Sequence, residues 1–128
     1  MEKKGLVVCD TNILIEVIDR NNGKIIESLV DFGPSNLCIS SITYSELLVG
    51  AINKQHQKKL KSNLEKFTLI PLDRAIDQLH RNLIEQYSMS HNLSIQDALI
   101  AATAIQYDIG LRTLNIKDFR FIEGLLLV

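Results

Sequence analysis

The chain has 128 residues, 46% of them hydrophobic, with 14 Lys plus Arg against 15 Asp plus Glu and a formal net charge of −1. That size and apolar content suit one domain, 1–128, around one core, and the balanced charge excludes a global electrostatic pull toward nucleic acid or an anionic membrane, so any polyanion must meet a local basic patch. No apolar segment approaches spanning length, and the first apolar stretch is broken by Asp10, Asn12 and Glu16, which argues against a signal peptide and for a soluble, cytoplasmic protein with no membrane partner.

Residues 6–9, LVVC, form a short β-branched run between Gly5 and Asp10, the pattern of a buried opening strand. Helical spacing follows at once in Ile13, Leu14, Val17 and Ile18. Asp10, Thr11 or Asn12 would cap that helix, and Asn21-Asn22-Gly23 would end it. A second helix carries Ile25, Ile26, Leu29 and Val30 and stops near Gly33-Pro34. Leu37 to Ile39 is the next strand, and after Ser40 and Ser41 a helix presents Tyr44, Leu47, Leu48 and Ala51 on one face. Residues 53–66 predict a polar, Lys-rich helix with a thin stripe of Leu60 and Leu64, and 67–70, FTLI, a third strand closed by Pro71. From Asp73 to about Ser90 the spacing of Ile76, Leu79, Leu83, Ile84 and Tyr87 predicts a long amphipathic helix. Ser94 to Tyr107 is apolar almost all round and belongs inside. Gly110 ends it, Leu111 to Leu114 predict a fourth strand, Asn115 to Asp118 a turn, and Leu125 to Val128 an added edge strand. Such alternation with short connections implies an α/β fold, a three-layer α/β/α sandwich around a mainly parallel sheet of four or five strands.

Four acids, Asp10, Glu46, Asp97 and Asp118, stand where an apolar run hands over to a helix or turn. In a parallel α/β sheet those junctions gather along the carboxyl edge of the strands, where ligands bind. Each acid has a plainer account, Asp118 as an ordinary turn residue. Ser94-x-x-Asp97 and Thr43-x-x-Glu46 both fit a capping box, and Asp10 can cap the first helix. Expected burial favours more than capping. Glu46 lies between Ile42 and Val49, opposite the Tyr44, Leu47, Leu48 face, and the column of Asp97 continues through Ile100, Ala101 and Ala104. Buried carboxylates are costly unless paired or bound to metal, and no Lys or Arg is placed locally to neutralise Glu46 or Asp97. A hard divalent cation, Mg²⁺ or Mn²⁺, takes oxygen ligands and keeps several waters, which suits a carboxylate set without His or Cys. The chemistry such a site supports is hydrolysis of a phosphate ester.

The segments VVCDTNILIE (7–16), SSITYSELLVGA (40–51), DALIAATA (97–104) and TLNIKDF (113–119) resemble the PIN-domain ribonucleases, most closely the toxin component of VapBC-type toxin–antitoxin pairs, over about residues 6–121. The resemblance implies that Asp10, Glu46, Asp97 and Asp118 gather Mg²⁺ or Mn²⁺ for metal-assisted hydrolysis of RNA. Asp10 and Asp97 would be direct ligands, Glu46 a ligand or the residue orienting the water, and Asp118 an outer or second-metal ligand. Thr11, Asn12 and Asn115 match the supporting polar residues of the family. It also implies a VapB-like antitoxin that places a basic side chain among the acids, and a homodimer. Between Gly50 and Asp97 the chain follows no particular subgroup, so no particular RNA target carries over.

Arg112, Lys117 and Arg120 flank the fourth acid and are candidate phosphate contacts, whereas Lys54, Lys58, Lys59 and Lys61 read as a solvated helix face. Two other readings stay open: a catalytically silent PIN-like binding scaffold, and a Mg²⁺-dependent phosphatase or receiver-type phosphoacceptor. The second pair lacks its motifs, since Asp10-Thr11-Asn12 stands where the phosphatase carries D-x-D. Cys9 and Cys38 fall in apolar strands without ligand spacing and are expected as buried structural thiols. His80 is expected to pack at a boundary and His56 and His91 to lie on the surface.

Overall fold

The structure is a computed structural model that describes residues 5–128; residues 1–4, the start of the stretch weighed as a signal peptide, lie outside the described residues. In chain order the elements are β1 (Val7–Cys9), α1 (Thr11–Ile18), α2 (Gly23–Phe32), a 3-10 turn (Pro34–Asn36), β2 (Leu37–Ser40), α3 (Ser41–Val49), α4 (Lys54–Leu64), β3 (Thr68–Ile70), α5 (Arg74–His91), α6 (Ile95–Gln106), β4 (Gly110–Arg112) and a second 3-10 turn (Ile116–Asp118). The strands pair in the order β3-β2-β1-β4, and every pairing is parallel. The expected edge strand at the tail is reduced to one parallel bridge between Leu127 and Leu111. Gly110 makes room for that tail, because a Cβ there would lie 2.8 Å from Val128 Cγ1.

Alternation along the strands divides the core in two. Val8, Cys38 and Leu111 face α5 and α6, packing on Ile76, Leu83, Ala98, Ala101 and Ala102. Val7, Cys9, Leu37 and Ile39 face the other way, onto Ile13 and Leu14 of α1, Leu29 of α2, Leu47 of α3, and Leu60 and Leu64 of α4. This is the three-layer sandwich expected from the alternating pattern. Ile13 and Leu14 are fully buried, each contributing roughly 1.5–3 kcal/mol by transfer out of water, and they fix the first turn of α1 directly behind Asp10. Helix α6 meets the sheet through alanines, Ala98, Ala101, Ala102 and Ala104, all without exposed surface; such small side chains let a helix lie close to its neighbours.

Capping residues set where each helix begins. Asn22, Asn53 and Asp73 accept from Ile25 N, His56 N and Ile76 N and start α2, α4 and α5. Helix α5 stops at Asn92, whose φ of 55° is left-handed, a conformation that a short polar side chain tolerates. The Tyr107 hydroxyl donates to Asp73 Oδ2, tying the end of α6 to the start of α5. Part of the apolar surface of α1 and α2 remains open, where Val17, Ile18, Ile26 and Val30 line a groove of about 320 Å³ with Phe67. Among the described residues no helix is long and apolar enough to cross a membrane.

Candidate active site

Asp10 follows β1 at the carboxyl edge of the sheet and caps α1. Its backbone N–H donates to Arg112 O at 2.9 Å, which locks it to β4. Its carboxylate accepts from Thr11 N at 2.8 Å through Oδ1 and from the Thr113 hydroxyl at 2.7 Å through Oδ2. The side chain is thus anchored on both oxygens, and the residue is only 5% exposed. Burial pushes its pKa up, the Thr113 and Thr11 hydrogen bonds pull it down, and the charge of Asp118 pushes it up again. Asp10 is therefore both the cap and the buried acid.

Glu46 sits in the second turn of α3, and Thr11 Oγ1 donates to its Oε1 at 2.9 Å. Thr11 Oγ1 also lies 3.1 Å from Thr43 Oγ1. Thr11 has one hydroxyl proton, so when it points at the carboxylate, the fully buried Thr43 is the donor in the second contact. Two sequence expectations are corrected here. Thr43 is not the cap of a capping box with Glu46: α3 starts earlier, with Ser40 accepting from Ile42 N at 3.1 Å. Nor is Glu46 walled in by Val49, which is 86% exposed; Glu46 is half-buried, near the end of α3, where Val49 and Gly50 face solvent.

Asp97 opens α6, where Ser94 is the cap and accepts from Asp97 N at 3.1 Å, as the capping-box spacing predicts. Its carboxyl is pushed up to about 6, first by burial, then by the charges of Asp10 and Asp118; the Ser94 hydrogen bond opposes this and Glu46 adds to it. Asp118 ends the 3-10 turn after β4 and is exposed. All four sequence-predicted acids therefore share one electrostatic neighbourhood. Among the described residues the ion pairs are Arg20–Glu16, His56–Asp19, His80–Asp77 and Arg81–Asp77, so none of the four acids is neutralised by a neighbouring cation.

The flanking polar residues complete the edge. Asn12 Oδ1 accepts from Leu114 N at 3.4 Å, and Asn115 N donates to Thr113 Oγ1 at 3.0 Å. Asn12 Nδ2 and Arg112 Nε are buried donors without a partner, poised for an acceptor that the described residues do not supply. Leu114 to Asp118 line a shallow pocket of about 370 Å³, and Lys117 and Arg120 are exposed beside it. Among the described residues no three His, Cys, Asp or Glu side chains already form a metal cage. A loose, oxygen-only and uncompensated acid set fits a hard divalent ion that keeps its own waters, and it does not fit a closed thiolate or imidazole site.

The PIN domain family profile matches residues 7–123. The chain belongs to the PIN-domain family. Ribonuclease VapC1 of Rickettsia felis is 33% identical over 132 aligned positions, spanning 94% of this chain and 92% of that protein, which sets this PIN domain among the VapC proteins. A toxin–antitoxin complex from Klebsiella pneumoniae contains a chain 30% identical to it, with 94% and 95% of the two chains covered and a TM-score of 0.79. VapBC2 from Rickettsia felis, bound to a DNA fragment from its promoter, is 29% identical with 96% and 97% covered and a TM-score of 0.82. Membership in the PIN-domain family sets aside the phosphatase and receiver readings.

Sequence reasoning missed Thr43 and Thr113, the hydroxyls that orient Thr11 and Asp10. The available signal was placement: Thr113 follows β4 directly and Thr43 sits one helical turn before Glu46. It also placed His56 on the surface. His56 is half-buried, accepting from Ile52 N at Nδ1 and so presenting Nε2–H to Asp19 at 2.8 Å. His80 packs as expected, its Nδ1 2.6 Å from Asp77 O. Cys9 and Cys38 are free and buried, and burial, with the neighbouring Cys38 second, pushes the Cys9 thiol up to about 12.

Proposed function

We propose that this chain is the toxin of a VapBC-type pair, an endoribonuclease that hydrolyses RNA phosphodiester bonds with a divalent metal, and that residues 1–128 are one nuclease domain. The observation that carries this reading is the group of four mutually repelling carboxylates, without an ion-pair partner among the described residues, at the strand edge of a PIN domain. PIN-domain ribonucleases are in general divalent-metal-dependent. Mg²⁺ or Mn²⁺ is the fitting ion here, because all the candidate ligands are carboxylate oxygens.

Asp10 and Asp97 are the residues that would hold the metal directly, with Glu46 and Asp118 completing the set. When bound, the metal supplies charge stabilisation at the phosphoryl oxygens and lowers the pKa of water at the site. The protein's own contribution is orientation. Thr113 and the Thr11 amide fix the Asp10 carboxylate, and the Thr43–Thr11 relay fixes Glu46 so that one oxygen is held and the other is left to face a water or the metal. Asn12, Arg112, Lys117 and Arg120 supply donors for the phosphate on either side of the scissile bond, and Asn115 shapes the turn that carries Asp118. The partner is a VapB-like antitoxin, consistent with the toxin–antitoxin complexes among the structural relatives.

The test is incubation of the purified chain with RNA, DNA and a small phosphoester in Mg²⁺ or Mn²⁺. RNA alone should be cleaved, and both EDTA and Asp97→Asn should abolish cleavage. Cleavage that persists in EDTA or in Asp97→Asn refutes the site.

A further inference from the structure

The end of α5 carries an aromatic arrangement that the acids do not explain. His91 stacks on Phe121 with ring centroids 4.3 Å apart and planes 10° from parallel. Tyr87 braces both edge-on, 5.7 Å from His91 and 5.2 Å from Phe121. Tyr87 is itself fixed: it is 7% exposed, and its hydroxyl accepts from Glu123 N at 3.2 Å. Phe121 is half-buried and His91 exposed, so the stack rises from the core and ends in an imidazole face open to solvent. Ser90 Oγ lies 2.8 Å from His91 Nδ1, which holds the ring in plane.

Both chain segments that build the stack also carry acids of the site. His91 precedes the Asn92-Leu93-Ser94 connection into the first turn of α6, where Asp97 stands, and Phe121 lies three residues beyond Asp118. Arg120, between Asp118 and Phe121, is exposed and, among the described residues, has no ion-pair partner. An open π-face with an exposed guanidinium on the residue next to its backing ring is a pairing suited to single-stranded nucleic acid, because every base has a face to stack and every linkage a charge to meet. A duplex offers no such face, since its bases are already stacked.

We infer that the outer face of His91, backed by Phe121, is a stacking subsite for an unpaired RNA base near the scissile phosphate, with Arg120 on the adjoining phosphate. This rests on the nuclease reading and adds to it the residues that would take an unpaired base. The chain has no Trp, so His91→Trp introduces a single indole whose emission a stacked base quenches. In EDTA, His91→Ala should bind a short single-stranded oligoribonucleotide roughly tenfold more weakly than wild type by fluorescence anisotropy. His91→Trp should bind at least as tightly as wild type and be quenched by that oligonucleotide but not by its duplex. His91 is exposed at a helix end, and circular dichroism checks that both variants are folded. Unchanged affinity in His91→Ala, or no quenching in His91→Trp, overturns the subsite. If wild type still cleaves RNA in Mg²⁺ or Mn²⁺ the nuclease reading survives that result, and if it neither cleaves nor binds RNA both fall.

Discussion

Removing the charge of Asp97 should make the metal-free protein more stable while abolishing its activity. A carboxyl moved from 3.8 to about 6 corresponds at full strength to about 3 kcal/mol against the charged form in the folded state. Asp97 is only half-buried, and solvent screening leaves about 1 kcal/mol of that. The sign follows from proton counting. With its folded pKa raised, the folded state holds the proton more tightly than the unfolded chain, so stability is lost as pH rises from 3.8 through about 6. Asp97→Asn, which keeps an oxygen to accept from Ser94, escapes that loss. Thermal unfolding followed by circular dichroism in EDTA should show Asp97→Asn melting roughly 3–5 °C above wild type at pH 8, with the two converging near pH 4. Added Mg²⁺ or Mn²⁺ should raise wild type more than the variant, since only the folded site binds the ion. A variant no more stable than wild type at pH 8, or a gain that is the same at pH 4, refutes the claim that burial and the neighbouring acids penalise the Asp97 charge.

Thr113→Val takes the donor from Asp10 Oδ2 and the acceptor from Asn115 N, leaving the buried Asp10 carboxylate one partner short; a loss of about 1–3 kcal/mol in urea unfolding is expected, together with slower cleavage. Thr43→Val keeps shape but removes the donor to Thr11, so kcat for RNA cleavage should fall by about ten- to hundredfold through misorientation of Glu46 with KM little changed, and an unchanged kcat would rule the relay out. Cys9, its thiol raised to about 12 and buried like Cys38, should react with an aromatic disulfide reagent only after unfolding. Reaction of the native protein at the rate of a free thiol would contradict the packing of β1 and β2.

The acids were legible because a parallel sheet sends every strand-to-helix junction to one edge, so Asp10, Glu46, Asp97 and Asp118 could be brought together without knowing any distance. The sandwich followed from the same alternation. Helix beginnings were less legible. Ser40, Ser41 and Thr43 are all competent caps, and which one serves depends on where β2 leaves the sheet, a matter of pairing with β1 and β3 rather than of local propensity. The same ignorance put Val49 beside Glu46 in a buried wall, when no element covers the last turn of α3 on that side and Val49 lies in water. Thr113 could not be singled out because its importance lies in a partner 103 positions away. His56 looked like one more polar residue in a polar helix, yet α4 docks on α3, and its ring bridges back to Asp19.

The Asp10–Thr113 bond has a consequence for how the protein comes to life. It joins residues 103 apart, and β4, which brings Thr113, is the last of the strands and sits at the outer position against β1. The contact can close only after Thr113 itself has left the ribosome, and pairings so distant in sequence form late and slowly. Asp10 and Glu46, joined through Thr11, can meet early, but Asp10 stays loose and Asp118, which follows β4, remains unplaced until that strand docks. A nuclease assembled in that order has its full set of acids held together only once β4 has docked against β1.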